Sequence, residues 1–372
     1  MTAGTASPDE PRRTPGYDGQ GGQVSGIALM NGLLGLVTLG IYRFWGKTRL
    51  RRYLWSQVSF GGDRMEYTGR ALELLLGFLI AIFILMLLGL AFEAVGFVAA
   101  DNEIVLSISS FIYFLVFAFL IQIAIYRARR YRLTRTQWRG IRGGQSGSSV
   151  KYALRAFGWS LVAFVTLGLS YNVLRNRLQG YRTRNTWIGD RHFEFGARAT
   201  DMLGPWLIAW LLLIPTLGMS YIWYRVREFR YFSAYTRYGA LRFDSVLGTG
   251  RVIWIYLRYY LVLMLVLVIV MGAATVVAPG LLGAFGVLTS GDEAMIEMIE
   301  PTLVFGVLAL FIVFFLVSGV VRVALLVHPM LREICRSLRV AGEEDFEAIA
   351  QSRQYSPSRG EGLADALDVG SI

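Results

Sequence analysis

The chain has 372 residues, 55% of them hydrophobic and 17% charged, with a mean hydropathy of +0.48 and a net charge of +11. That is too apolar for a soluble globular domain, and the single cysteine, Cys335, excludes an intrachain disulfide and argues against a cysteine-based zinc site. The positive charge does not point to nucleic acid, because the basic residues lie beside apolar runs, where topogenic charge and anionic lipid account for them.

Residues 1–23 hold Pro8, Pro11, Pro15 and five glycines without the basic-then-apolar order of a signal peptide, and read as a flexible tail. A membrane domain is expected over 24–327 and a cytoplasmic tail over 328–372. Four apolar stretches, about 71–97, 104–126, 252–278 and 302–327, match the ~20 residues that cross a hydrocarbon core at ~1.5 Å per residue and are predicted transmembrane helices. Three more, about 24–42, 156–174 and 202–224, are shorter or broken by glycine and proline, and either span or re-enter. The expected fold class is an all-α polytopic membrane protein with short interfacial β-hairpins.

Each of the three shorter stretches leads into a similar unit. Thr38, Thr166 and Thr216 open a Thr-Leu-Gly that ends on Gly40, Gly168 and Gly218. An arginine follows eleven positions after the threonine (Arg49, Arg177, Arg227), a tyrosine at fifteen (Tyr53, Tyr181, Tyr231) and a glycine at twenty-three (Gly61, Gly189, Gly239). The Thr-Leu-Gly predicts a helix C-cap or a kink. Aromatics mixed with arginines come next, as in Tyr42, Arg43, Phe44, Trp45, Tyr53 and Trp55, and suit a helix in the headgroup region. Arg49, Arg51 and Arg52, with Arg127, Arg129 and Arg130 of the second basic stretch, are the candidate lipid-headgroup contacts. Alternation around Gly61-Gly62-Asp63, Gly189-Asp190 and Gly239-Ala240 then argues a short hairpin.

Charge sets the expected orientation. Segments 43–70 and 127–155 hold seven and nine Lys/Arg, whereas 98–103 and 279–301 hold none, so the basic loops belong in the cytoplasm and the C-terminus with them. Segments 175–200 and 225–251 each hold six arginines with one apolar stretch between them. Seven spans would put 175–200 outside, against the charge rule; re-entrant stretches would not.

The run from Asn31 to Ala81, NGLLGLVTLGIYRFWGKTRLRRYLWSQVSFGGDRMEYTGRALELLLGFLIA, resembles the signature of the YjgN family of bacterial inner-membrane proteins, a domain family of unknown function, and GEGLADALD from Gly360 to Asp368 resembles that family's ending. Units two and three depart from it, with Ser170 and Ser220 in place of Tyr42. The resemblance implies a multi-pass inner-membrane location and transfers no catalytic residue.

Candidates for chemistry are few. Glu73 and Glu93 are twenty residues apart, about 30 Å along a helix, and so belong near opposite interfaces rather than on an ion path. Arg258 and Arg322 lie within snorkelling reach of an interface. His192 and His328 have no neighbour at ligand spacing, and Gly143, Gly144, Ser146, Gly147 and Ser149 read as a loop with no strand before it. The sequence therefore argues against an enzyme and calls for no cofactor and no metal. Its expected partners are membrane lipids, anionic ones above all. The leading expectation is a transport-related or channel-like protein whose three breaks line a path; the alternative is a non-transporting scaffold binding anionic lipid or a protein through the arginine and aromatic elements.

Overall fold

A computed structural model of the chain describes residues 12–99, 102–290 and 293–342, apart from the side chains of 275–304 and 307. The terminal motif at 360–368 lies outside the described residues. Two compact units result: residues 12–18 with 51–249 and 333–342, and residues 19–50 with 250–332.

The first unit is built on a sheet, so the all-α expectation is corrected. Its strands are β1 (Arg12–Arg13), β2 (Gly16–Tyr17), β3 (Val58–Phe60), β4 (Asp63–Tyr67), β5 (Thr136–Trp138), β6 (Ile141–Gln145), β7 (Thr186–Ile188), β8 (Arg191–Phe195), β9 (Thr236–Tyr238), β10 (Leu241–Ser245) and β11 (Leu338–Ala341). The order is β1-β11-β10-β9-β8-β7-β6-β5-β4-β3-β2, antiparallel throughout. Only Thr14 and Pro15 separate β1 from β2, at the two ends of this order, so the sheet closes on itself through the covalent chain. Residues 12–23, expected in a flexible tail, are thus two strands and the opening of a helix. Closure matters because an open edge is a template for aggregation.

One backbone hydrogen bond recurs at five corners of this ring. Asp18 N donates to Gln57 O, Thr68 N to Arg135 O, Ser146 N to Asn185 O, Gly196 N to Tyr235 O and Val246 N to Ser337 O, all at 2.8–3.0 Å. Each acceptor precedes a strand and each donor follows one. The four covalent hairpins pair a three-residue strand with a five-residue strand across a two-residue turn. Gly61-Gly62 and Arg139-Gly140 have positive φ at both turn positions, as type I′ requires, whereas in the other two only Gly189 and Gly239 do, as in type II′. The second hairpin corrects the reading of 143–149 as a loop: Gly143 and Gly144 lie in β6, and a Cβ on Gly144 would meet the Trp187 ring.

The turns converge. Tyr238, Leu241 and Val340 form a buried cluster against Phe60, Ile141, Ile188, Phe193 and Phe243, so all four hairpins and β11 contribute to one apolar core. At the other end of the strands, Thr136, Thr186 and Thr236 donate to the carbonyls of Arg132, Arg182 and Phe232 at 2.7–2.8 Å. These bonds satisfy last-turn acceptors of the preceding helices.

The helices are α1 (Gly21–Val37), α2 (Arg43–Ser56), α3 (Ala71–Val98), α4 (Glu103–Thr134), α5 (Ser149–Val165), α6 (Tyr171–Arg184), α7 (Leu203–Leu211), α8 (Met219–Ala234), α9 (Thr249–Ser290), α10 (Glu293–Arg322) and α11 (His328–Ser337). Among the described residues, four stretches are long and apolar enough to cross a membrane: Ala71–Val98, Glu103–Thr134, Thr249–Ala274 and Leu308–Ser337. The last contains a π-turn at Val323–Val327, just before Pro329, whose missing N–H leaves the Leu325 carbonyl without its α-helical donor.

The shorter stretches are helical pairs that turn at Thr-Leu-Gly. Gly40, Gly168 and Gly218 have φ of +86°, +86° and +84°, and the leucines before them have φ near +50°. The glycine N–H reaches back five residues, to Gly35, Ala163 and Leu213, which ties off the helix end in the Schellman manner. The threonine hydroxyl links the two helices. It donates to Leu34, Val162 and Leu212 and accepts from the N–H of Tyr42, Ser170 and Ser220. Leu39, Leu167 and Leu217 are 94%, 78% and 91% exposed.

In the first unit, α5 and α6 run antiparallel: Tyr181, near the end of α6, bonds both the N–H and the carbonyl of Ser148, the N-cap of α5. The α7–α8 pair repeats this, with Tyr231 bonding both backbone groups of Arg198 and Ser220 reaching Ala209 O. In the second unit α1 packs on α10, and Asn31 Nδ2 donates to Gly46 O at 2.9 Å.

Candidate anion-binding pocket

A pocket of about 880 Å³ opens beside the α5–α6 pair. Arg155 and Trp159 reach it from α5, Asn176, Arg177, Gly180, Tyr181 and Arg184 from α6, Phe195 from β8, and Ala197, Arg198, Ala199 and Thr200 from the connection that follows. Four guanidinium groups line it and no carboxylate does.

Local structure sets each arginine. Arg155 lies over the Tyr181 ring with Cζ 4.5 Å from the centroid, and Arg177 over Trp159 at 5.9 Å. Such contacts hold a guanidinium flat while leaving its edge N–H groups free for an oxyanion. Arg184 donates through Nε and Nη2 to Phe195 O at 3.3 and 3.0 Å. Asn176 Nδ2 closes the floor on Ala197 O at 3.2 Å. Beyond the rim, Asp201 accepts from Tyr231 at 2.6 Å, and this hydrogen bond holds its carboxyl below the usual range.

Arg177 and Tyr181 are two of the marks read from the sequence. Of the others, Arg49 and Arg227 are exposed, Arg227 over the Trp223 ring at 5.7 Å. Gly61, Gly189 and Gly239 open their turns at φ of +61°, +58° and +56°. Arg155, Trp159, Arg184 and Arg198 went unread, because they lie on three elements and share no spacing. A fourth set of marks was also missed: Arg127, Tyr131 and Arg139 have the offsets of Arg177, Tyr181 and Gly189, and Arg139 takes φ of +52° where the others have glycine.

The six candidate headgroup contacts divide. Arg49, Arg52 and Arg127 are exposed. Arg51 is a correction: it is buried and directed at the Tyr67 hydroxyl at 3.3 Å. Arg129 and Arg130 also turn inward, to Thr186 Oγ1 and to the carbonyl of Gly147. Glu73 accepts from Arg135 at 2.9 Å and Tyr131 at 3.0 Å, while Glu93 is exposed twenty residues along α3. Among the described residues no three His, Cys, Asp or Glu side chains gather.

Comparison with known proteins agrees with the membrane-spanning helices. Over 96 residues the chain is 36% identical to inner membrane protein YjgN of Salmonella typhimurium, a match covering 25% of this chain and 24% of that protein. The chain thus spans about a quarter of the length of the curated relative it matches. No solved structure matches. The profile of a family described as bacterial protein of unknown function (DUF898) matches residues 14–219, more than half of the sequence, although the third Thr-Leu-Gly unit extends beyond it. The chain, a multi-pass membrane protein by its helices, belongs to that DUF898 family, the YjgN family expected from Asn31 to Ala81.

Proposed function

We propose that this protein is a non-transporting scaffold of the bacterial inner membrane that holds the phosphate-bearing headgroup of an anionic lipid in its arginine pocket. The carrying observation is a pocket lined by four arginines and no carboxylate, at the foot of a helix with an exposed apolar face. From Arg155, α5 continues through exposed Leu161, Val162, Phe164 and Val165, and exposed Leu167 follows in the turn. Ten helical residues rise about 15 Å, half the thickness of a hydrocarbon core. A helical pair of that depth re-enters from one face, with its Thr-Leu-Gly turn at mid-bilayer and Trp159 at the interface.

Shared strand pairing supports this topology, since hairpins of one sheet cannot lie on opposite sides of a bilayer. We read the Thr-Leu-Gly pairs, and α3–α4 with Arg127, Tyr131 and Arg139, as copies of one element. The arginine density of the sheet face favours the cytoplasm, and β11 carries the chain to the same side. A transport path is disfavoured by the apolar cluster filling the ring and by the outward exposure of the turn leucines.

The test is lipid retention by the full-length protein, purified from nanodiscs containing phosphatidylglycerol or phosphatidylcholine and followed by native mass spectrometry. Arg155→Gln and Arg177→Gln should each reduce phosphatidylglycerol retention about tenfold, the scale of one charge-assisted hydrogen bond. Equal retention of both lipids by the unmodified protein would remove the proposal. Competition by glycerol phosphate as strong as by the lipid would make the ligand a free phosphate ester.

A further inference from the structure

Separate from the open pocket, and sharing none of its lining residues, the β6–β7 pairing gathers polar groups without a counter-charge. Gln145 stands opposite Thr186 across the strands and is fully buried. Neither of its amide atoms meets hydrogen-bond geometry with a described protein group, although the Tyr126 hydroxyl is near enough to feel it. Thr186 Oγ1 donates to the Arg182 carbonyl at 2.8 Å and accepts from Arg129 Nη2 at 3.4 Å. Arg182 sends Nη2 to Gln179 at 3.1 Å, but its Nε is buried without a partner.

No ion pair joins either arginine to a carboxylate among the described residues. Glu228, whose field reaches Arg182, is already held by Arg175 and Arg225. Burial keeps the Arg182 guanidinium below its ordinary value, and its charge bears on Arg129. Two guanidiniums withdrawn from bulk water beside an unsatisfied amide are unfavourable unless something supplies negative charge and acceptors. Both arginines keep part of their surface accessible.

We propose that Gln145, Thr186, Arg129 and Arg182 form a binding site for a small inorganic oxyanion. Guanidinium forks, an amide N–H and a hydroxyl are the donor set that suits a tetrahedral oxyanion. The site lies where α4 and α6 meet the sheet, so an occupant would tie a membrane-spanning helix to the closed ring.

The experiment is thermal unfolding of the full-length protein in detergent, at fixed ionic strength with gluconate as the baseline anion, on addition of inorganic phosphate. The unmodified protein should gain about 5 °C in Tm with saturation. Gln145→Glu places a carboxylate opposite Thr186, the residue that Arg129 reaches. It should melt above the unmodified protein without phosphate and no longer respond, whereas a merely structural Gln145 would give a variant that melts lower. Arg177→Gln, which disables the open pocket, should keep a saturable response, and adding Arg182→Gln to it should lose that response. A rise that survives in both Gln145→Glu and Arg182→Gln, each made in the Arg177→Gln background, overturns the site. So does the lack of saturable heat when phosphate is titrated calorimetrically into Arg177→Gln, however the other variants fold.

Discussion

The Arg175 guanidinium forks onto the Glu228 carboxylate, Nε to Oε1 at 3.2 Å and Nη2 to Oε2 at 3.0 Å, and Arg225 meets the same carboxylate from three residues away. The pair joins α6 to α8, so two of the helical pairs share one ionic contact. Burial lowers the Arg175 value, and the Glu228 charge and hydrogen bond together with Tyr171 and Tyr221 more than offset it, while burial raises the carboxyl of Glu228 in spite of its cationic neighbours. Desolvation and attraction therefore oppose one another here.

A clear asymmetry follows for substitutions at this pair. Glu228→Gln or Arg175→Met alone leaves a partner uncompensated and should cost about 3–5 kcal/mol in denaturant unfolding. The double variant Arg175→Met/Glu228→Leu should recover most of that loss. If the double loses as much as the two singles summed, the two residues are uncoupled and the paired reading is wrong.

The Asp201–Tyr231 hydrogen bond should be visible in the acid limb of stability. The folded Asp201 carboxyl lies below its ordinary value of 3.8, chiefly through the Tyr231 hydroxyl. Its contribution is therefore fully present above that pH and is lost as pH falls through the lower folded value. The Tm difference between the unmodified protein and Tyr231→Phe should be largest near neutral pH and shrink below about pH 4. A difference independent of pH would assign the tyrosine to packing alone.

Cysteine labelling checks the shared sheet. In a Cys335→Ser background, single cysteines at Glu66, Arg142 and Asp190, all exposed on three different hairpins, should behave alike toward an impermeant thiol reagent in intact cells, and all should be shielded. Labelling at Asp190 but not at Glu66 would break the sheet apart and restore seven spans.

The Thr-Leu-Gly turns give a sharper comparison. Gly40→Val forces a β-branched residue to φ of +86°, whereas Gly35→Val enters open space in a helix. The first should cost about 1–3 kcal/mol more than the second in thermal or denaturant unfolding. Gly168→Val and Gly218→Val should resemble Gly40→Val. Equal losses at positions 35 and 40 would mean that the turn is not held in the left-handed form.

Legibility in the sequence followed element length. Helices of 28 and 32 residues at 71–98 and 103–134 announce themselves by hydropathy alone. Strands of three and five residues carry too few alternations to be read without a glycine turn. The Gly61, Gly189 and Gly239 hairpins were thus accessible, and the one with Arg139 in the glycine position was not. Nothing local marks Arg12–Arg13 as the partner of Leu338–Ala341, because that pairing is a property of the closed ring. The pocket was hidden for a related reason: Arg155 and Arg198 meet only after α5 and the β8 connection have been folded together.

Pairing of Arg12 with Ala341 also sets a timetable for synthesis. At ~5–20 residues per second, the first strand waits on the order of tens of seconds for its partner, and the membrane helices between them are inserted meanwhile. Until then the growing sheet has two raw edges, at β1 and at whichever strand was made last. The final strand therefore acts as an assembly checkpoint: a ribosome product ending before Leu338 would carry correctly inserted helices beneath a sheet it cannot seal, and quality-control proteases would meet an edge that the finished molecule never shows.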